Sequence, residues 1–550
     1  MKNEVNLRPS AQAGRSQQAE GVEEMLSEKR KASGENPRPG GEKKKKNEGS
    51  KAAPAQLAHR LLISILSLVL AIVATTTTTT GTAAATVAAS AATGSRAETL
   101  NGSAQTSPEQ VKPGVTSAPK PSAPDQTSIQ NVEATQAALV SEFDVNGLKV
   151  IVKRRPGSLT VAAGLFLRGG ARNITAENAG IEALMLDVAT EASSGFPRER
   201  LRAETSRMGT VIGSGVNYDY SALTLASTRA NFDRSWALFT DVALRPSFTS
   251  QDVELVQSRL VASLRDDVDD PDDYLQRLQE RVAYAGHPYF NRPRGTVETV
   301  SRLTSADLQR YHRQMMQTSR LLLVIVGDLD PSQLRQQIAQ TFGKLPRGDY
   351  HPTPLPQLDF ATPSVEVTKR GLPTNYIQGL FAAPALTASD IYPMRIASSV
   401  LRDRVFEEVR VKRNLSYAPS AFLSSQGANV GGIYVTAVDA NRAVRVMLDE
   451  IGRLQHEPIS PEEITGVVSQ YLTSYYMGQE TNAAQAGELA QYELIGGGWR
   501  NSLVTIERLR AVTPADVQRV ARAYMRNIRF VVIGNPDQID KTVFTGQAGE

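Results

Sequence analysis

Histidine is the side chain best suited to hold a catalytic metal or to move a proton near neutral pH. This 550-residue chain has five: His59, His287, His312, His351 and His456. No two stand three or four residues apart. A hydrolytic zinc site on a helix needs two neutral imidazoles on one face, with a carboxylate beside them to take a proton from water. No such pair exists, and residues 60–286 contain no histidine at all. Cysteine is absent, which excludes disulfides, thiolate ligands and thiol nucleophiles together. The expectation is a chain that holds no catalytic metal and no other cofactor.

The elements that would position any chemistry follow from periodicity. Phe143 to Val152 reads as strand, Asn146-Gly147 turn, strand, and Val161–Arg168 as a further strand. Ile181, Leu184, Met185 and Val188 recur at i, i+3, i+4, i+7 and predict a helix opening at Gly180. Ile396, Val400, Leu401 and Val405 give an apolar face to a helix running into Arg410. Asn414 tolerates the left-handed conformation that ends a helix, and Ser416 onward reads as a strand carrying Tyr417. Alternation of helices and strands predicts an α+β fold.

The chain also repeats. Leu303-Thr-Ser-Ala-Asp-Leu-Gln-Arg310 matches Val512-Thr-Pro-Ala-Asp-Val-Gln-Arg519, each with a Thr at a helix start and an acid three later, a capping box. Each helix precedes an apolar strand ending in glycine, at 321–327 and 528–534. Duplication predicts two homologous halves, 139–347 and 365–545, joined by the Pro-rich linker 348–364.

The front of the chain is different. Residues 1–58 are polar, lack an apolar period and are expected to be a disordered basic region. They hold much of the positive excess behind the net charge of +4, and the run Lys43–Lys46 reads as solvated tail. No basic helix with interleaved aromatics exists, so nucleic acid is not an expected partner. Leu61–Ala74 is a continuous apolar run. Fourteen residues at 1.5 Å rise span roughly 21 Å, short of the ~30 Å hydrocarbon core, which fits a signal-peptide core. Ala89-Ser90-Ala91 offers a small-residue cleavage site, and a start at Met25 would shorten the basic region before it. The threonines at 75–80 would instead extend the run into a membrane anchor over 61–80. The segment 59–92 is thus expected to be a signal peptide or anchor, 93–138 a low-complexity linker, and the protein exported, periplasmic or extracellular.

Seven motifs in order carry a family resemblance: Asn146-Gly-Leu-Lys-Val-Ile-Val152, Leu167-Arg-Gly-Gly-Ala-Arg172, His287-Pro-Tyr289, Gly295-Thr-Val-Glu-Thr-Val300, Val324-Ile-Val-Gly-Asp328, Val409-Arg-Val-Lys-Arg-Asn-Leu-Ser-Tyr417 and Tyr475-Tyr-Met-Gly-Gln-Glu-Thr481. From Phe143 to Asn535 the sequence resembles the M16 zinc peptidases of the pitrilysin and insulinase type. That family's signature is H-x-x-E-H on the first long helix. The resemblance puts it on Ala183, Leu186 and Asp187, so both imidazoles and the base are replaced. A third ligand, a glutamate, is expected ahead of Asp269-Asp-Pro271, where the chain has Ala262 or Ser263. The resemblance implies a zinc-free subunit made of two homologous α/β sandwich domains of the M16 type. In one branch of the family two unlike subunits share an active site, and the zinc-free one keeps an Arg and a Tyr with six residues between them. The resemblance puts these on Arg410 and Tyr417, with Arg413 as an alternative for the arginine. It implies a zinc-bearing M16 paralogue as heterodimer partner, zinc in that partner, and a peptide substrate that pairs with an edge strand near Val211–Tyr218. His287 and Tyr289 read as structural. The other function implied by the family is a peptide-binding or structural scaffold without peptidase activity.

Overall fold

The computed structural model describes residues 137–546 without a break, with positions 131, 134 and 135 before them. The regions 1–58 and 59–92, the run 61–80 and most of 93–138 lie outside the described residues.

The first half runs β1 (Val140–Val145), β2 (Leu148–Arg154), β3 (Thr160–Arg168), α1 (Ile181–Ala189), α2 (Arg198–Met208), β4 (Val211–Val216), β5 (Tyr220–Thr228), α3 (Phe232–Leu244), α4 (Ser250–Asp269), α5 (Pro271–Ala283), α6 (Ser305–Met315), β6 (Leu321–Gly327) and α7 (Pro331–Gln340). The second runs β7 (Ser364–Lys369), β8 (Asn375–Ala382), α8 (Ile391–Val405), β9 (Ser420–Leu423), β10 (Val430–Ala437), α9 (Ala440–His456), α10 (Pro461–Gly478), α11 (Asn482–Ile495), α12 (Pro514–Tyr524) and β11 (Arg529–Gly534). The β1–β2 turn is the Asn-Gly pair, with positive φ of 54° and 85° that suits the twist of a hairpin.

The strand orders are β1-β2-β6-β3-β5-β4 and β7-β11-β8-β10-β9. Apart from β1, the second sheet repeats the first: β6 and β11 each run parallel to one neighbour and antiparallel to the other. Both capping boxes form, Thr304 with Asp307 and Thr513 with Asp516. The duplication read from the sequence is therefore a duplication of topology.

The unbroken apolar runs of β6 and β11 mean burial on both faces. Leu321, Leu323 and Ile325 point into the core under the helices of their own half, while Leu322, Val324 and Val326 point to the opposite face. That opposite face is covered by the other half, through Ala486, Leu489 and Ala490 of α11 and by Trp499. The exchange is reciprocal: Leu275 and Leu278 of α5 pack on Val531 and Ile533 of the second sheet. Each buried Leu or Trp of this kind stabilises the join by about 1.5–3 kcal/mol or more.

A polar clasp locks the halves beside this apolar join. Tyr289 donates its hydroxyl proton to Asp219, whose other oxygen accepts the Gly427 N–H at 3.0 Å. The Ala428 N–H donates to the same Tyr289 hydroxyl at 3.1 Å. His287 accepts the Tyr289 N–H at Nδ1 (3.1 Å) and donates from Nε2 to the Pro356 carbonyl (2.9 Å), so both ring nitrogens are engaged. Tyr289→Phe would leave a buried carboxylate oxygen and a buried N–H unpaired. It should cost about 1–3 kcal/mol, read as a lower urea midpoint at unchanged slope.

Candidate functional site

Helix α1 follows a tight entry. Gly180 has φ 91°, and a Cβ there would meet the Arg294 carbonyl at 2.8 Å, so glycine is required by both conformation and space. The helix brings Ala183, Leu186 and Asp187 together on one turn. Ala183 and Leu186 are buried in the first core. Asp187 accepts a hydrogen bond from Ser214 on β4, and burial pushes its carboxyl above the ordinary value. Ala262 lies on α4, which packs against α1, but is exposed. Its neighbour Ser263 takes a hydrogen bond from Arg294 at 2.7 Å, and Arg294 also pairs with Asp267 at 3.0 Å. The Arg294 guanidinium lies within electrostatic reach of Asp187 as well. A zinc ion does not fit these residues. Two of the donors are hydrocarbon, and a fixed arginine already supplies the local positive charge. Among the described residues no three His, Asp or Glu side chains converge as a metal site.

Glu182, one position earlier, faces the core. It accepts from Asn173 (3.0 Å), Tyr311 (2.8 Å) and Ser221. Burial pushes its carboxyl up from 4.5, while those three donors pull it back. A carboxyl with a raised folded-state value holds its proton more tightly in the native protein. Its contribution to stability is complete below the unfolded value and is lost as pH rises through the folded one. Glu182→Gln cannot ionise, and should lose less Tm than the parent between pH 4 and pH 8.

The second cluster is built by α8, which follows β8 as α1 follows β3. Past Val405 the helix widens into a π-helical turn, Phe406–Lys412, that carries Arg410. Such turns are rare and frequent at functional sites. Asn414 closes it at φ 49°, which lets the Leu415 N–H reach the Val409 carbonyl at 2.9 Å. Tyr417 lies in the bend before β9, not on the strand: β9 begins only at Ser420, because the left-handed turn at Asn414 must first redirect the chain. The Arg410 guanidinium lies 4.1 Å from the Tyr417 ring centroid and 5.0 Å from that of Phe406. It makes no side-chain hydrogen bond or ion pair among the described residues, and Tyr417 is 70% exposed. Arg413 is committed elsewhere, to the carbonyl (3.0 Å) and carboxylate of Glu408. That carboxyl is held down to about 2 by hydrogen bonds from Lys412 and Arg413. The arrangement leaves one guanidinium and one phenol free to donate to an incoming oxygen. Sequence reading missed Phe406, although it stands four residues before Arg410, and missed Arg294.

Residues 149–296 match the family model described as Insulinase (Peptidase family M16), and residues 302–471 that of the Peptidase M16 inactive domain. The chain belongs to peptidase family M16. An uncharacterized zinc protease of Streptomyces coelicolor is 21% identical, over 68% of this chain and 85% of its own. Mitochondrial-processing peptidase subunit beta of Blastocladiella emersonii is 21% identical, over 74% and 90%. Cytochrome b-c1 complex subunit 1 of Bos taurus is 22% identical, over 50% and 56%. A Helicobacter pylori protease shares the fold at TM-score 0.67 and 17% identity, over 72% of this chain and 99% of its own. A Pseudomonas fluorescens M16 inactive domain does so at 0.66 and 18%, over 72% and 98%. The M16 inactive-domain match spans α8, the π-helical turn and Tyr417. Ala183, Leu186 and Asp187 thus lie on a helix of the first half, and Arg410 and Tyr417 lie beside the matching helix of the second.

Proposed function

We propose that this chain is the non-catalytic subunit of a heterodimeric M16 peptidase, contributing Arg410 and Tyr417 to the active site of a zinc-bearing paralogue. The paralogue supplies the metal and the general base. The observation that carries the reading is the unpaired Arg410 guanidinium stacked on an exposed Tyr417. Hydrolysis of a peptide bond gathers negative charge on the carbonyl oxygen. A fixed guanidinium and a phenol hydroxyl would stabilise that charge once a partner's surface closes over them and excludes water. Strand β4 supports the same reading. Among the described residues it pairs only with β5, and the edge left open there can take an extended peptide backbone as an added strand. Export, with the run 61–80 as signal or anchor, belongs to this proposal. The test compares peptide hydrolysis by this chain, by the paralogue and by the two mixed. Hydrolysis only in the mixture supports the reading; no gain on mixing with an active paralogue sinks it. The second reading, a scaffold, is favoured by the likeness to a cytochrome b-c1 subunit, and it predicts no gain.

A further inference from the structure

The motif Tyr475-Tyr-Met-Gly-Gln-Glu-Thr481 has no part in the site above. It closes α10 at a junction where the two halves meet. There Glu488 of α11 lies within electrostatic reach of Lys153 from β2 and of Arg395 from the first turns of α8. All three are half-buried and keep part of their surface open to solvent. Glu488 accepts one side-chain hydrogen bond, from the Tyr475 hydroxyl at 3.3 Å. Among the described residues Arg395 donates only to the Tyr492 hydroxyl, at 3.2 Å. Neither Lys153 nor Arg395 forms an ion pair among the described residues, whereas nearby cations do: Lys149 pairs with Glu493 at 2.7 Å and Arg404 with Glu463 at 2.9 Å. Tyr471 and Tyr475 stack at 6.4 Å with planes 13° apart, and Tyr476 and Met477 stand exposed beside them.

Two cations without carboxylate partners flank a single carboxyl, so the junction is short of negative charge. We propose that it is a receptor for the carboxylate of a peptide, held between Lys153 and Arg395, with the Glu488 carboxyl as hydrogen-bond donor and the Tyr471–Tyr475 stack, Tyr476 and Met477 taking the adjoining side chains. Burial pushes the Glu488 carboxyl up to about 7, against the pull of Lys153, the Tyr475 hydroxyl and Arg395. Its proton is therefore available to face an anion in mildly acidic solution. Burial likewise lowers Lys153, as expected of an ammonium without a close counter-ion. Arg155, the other charge beside Lys153, is occupied by Asn482 at 2.6 Å and the Glu480 carbonyl.

The site also has a geometric relation to Arg410. Arg395 and Arg410 lie on one continuous helical path, so about 20 Å separates them along its axis. An extended peptide covers that span with about six residues. The inference rests on the chain holding peptide, not on a shared active site, and it is tested on this chain alone.

The experiment is fluorescence anisotropy of a labelled ten-residue peptide added to the full chain. Three peptides are compared: one with a free carboxylate and no acidic side chain, its C-terminal amide, and an amide carrying one glutamate. The free acid should bind at least tenfold more tightly than the plain amide, and Lys153→Met should remove that difference. Affinity should fall about tenfold between pH 6 and pH 8, the change in the protonated fraction of a carboxyl at about 7. Glu488→Gln, which keeps the shape and cannot ionise, should bind well and without that dependence. Tight binding of the glutamate-bearing amide would identify an acidic side chain as the same receptor's ligand. Equal binding of acid and plain amide, no binding of any peptide, or an unchanged pH profile in Glu488→Gln overturns the proposal.

Discussion

In the proposed pairing with a zinc-bearing paralogue, replacing Arg410 by alanine should lower hydrolysis by the mixture by about 100- to 1,000-fold, the usual cost of one oxyanion donor. The loss should fall on kcat more than on KM, because the charge it meets develops only in the transition state. Tyr417→Phe separates two roles. The ring that Arg410 stacks on remains and only the hydroxyl is lost, so a comparable fall would make the hydroxyl a donor in its own right. Arg410→Lys keeps the charge but not the planar group that lies over Tyr417 and Phe406, and should recover little. None of these changes should move the Tm by more than a degree or two. Arg410 makes no side-chain hydrogen bond among the described residues, and Tyr417 is mostly in solvent. A full-strength mixture containing Arg410→Ala would end the shared-site reading even if the two chains associate.

The second large effect concerns the two halves. Expressed separately, residues 139–347 and 365–545 should each be insoluble, whereas co-expression should give one soluble complex. The first fragment would expose Ile151, Phe166, Leu322, Val324 and Val326 as a continuous apolar sheet face, and the second would expose Val531 and Ile533. Faces of this kind drive association. A milder version is Trp499→Ala in the whole chain. Trp499 is 2% exposed and packs on the far face of the first sheet, so its removal should cost about 3–5 kcal/mol. A folded, monomeric 139–347 fragment would show that the exchanged helix contributes little.

Sequence and structure agree where local chemistry decides the outcome. The Asn146-Gly147 turn, the helix at Ile181 and the two Thr–Asp capping boxes each depend on a few neighbouring residues, and each forms where its pattern lies. The double-sided burial of β6 was visible as an unbroken apolar run, but not what covers its second face, since α11 lies more than 150 residues away in the chain. The Arg294–Ser263 contact was hidden for the same reason: 31 residues separate partners that meet only through the packing of α4. The absence of the H-x-x-E-H motif was legible because it is a matter of residue type alone. The freedom of Arg410 was not, because it depends on Arg413 rather than Arg410 taking Glu408.

The crossed helices also set a schedule. Strand β6 ends at Gly327, and the segment that seals the back of its sheet begins at Asn482. A ribosome adding about 5–20 residues per second needs about 8 to 30 s to bridge that gap. For that time the nascent first half carries a greasy sheet face with no cover of its own. The first sheet can complete its burial only after α11 and Trp499 have been made.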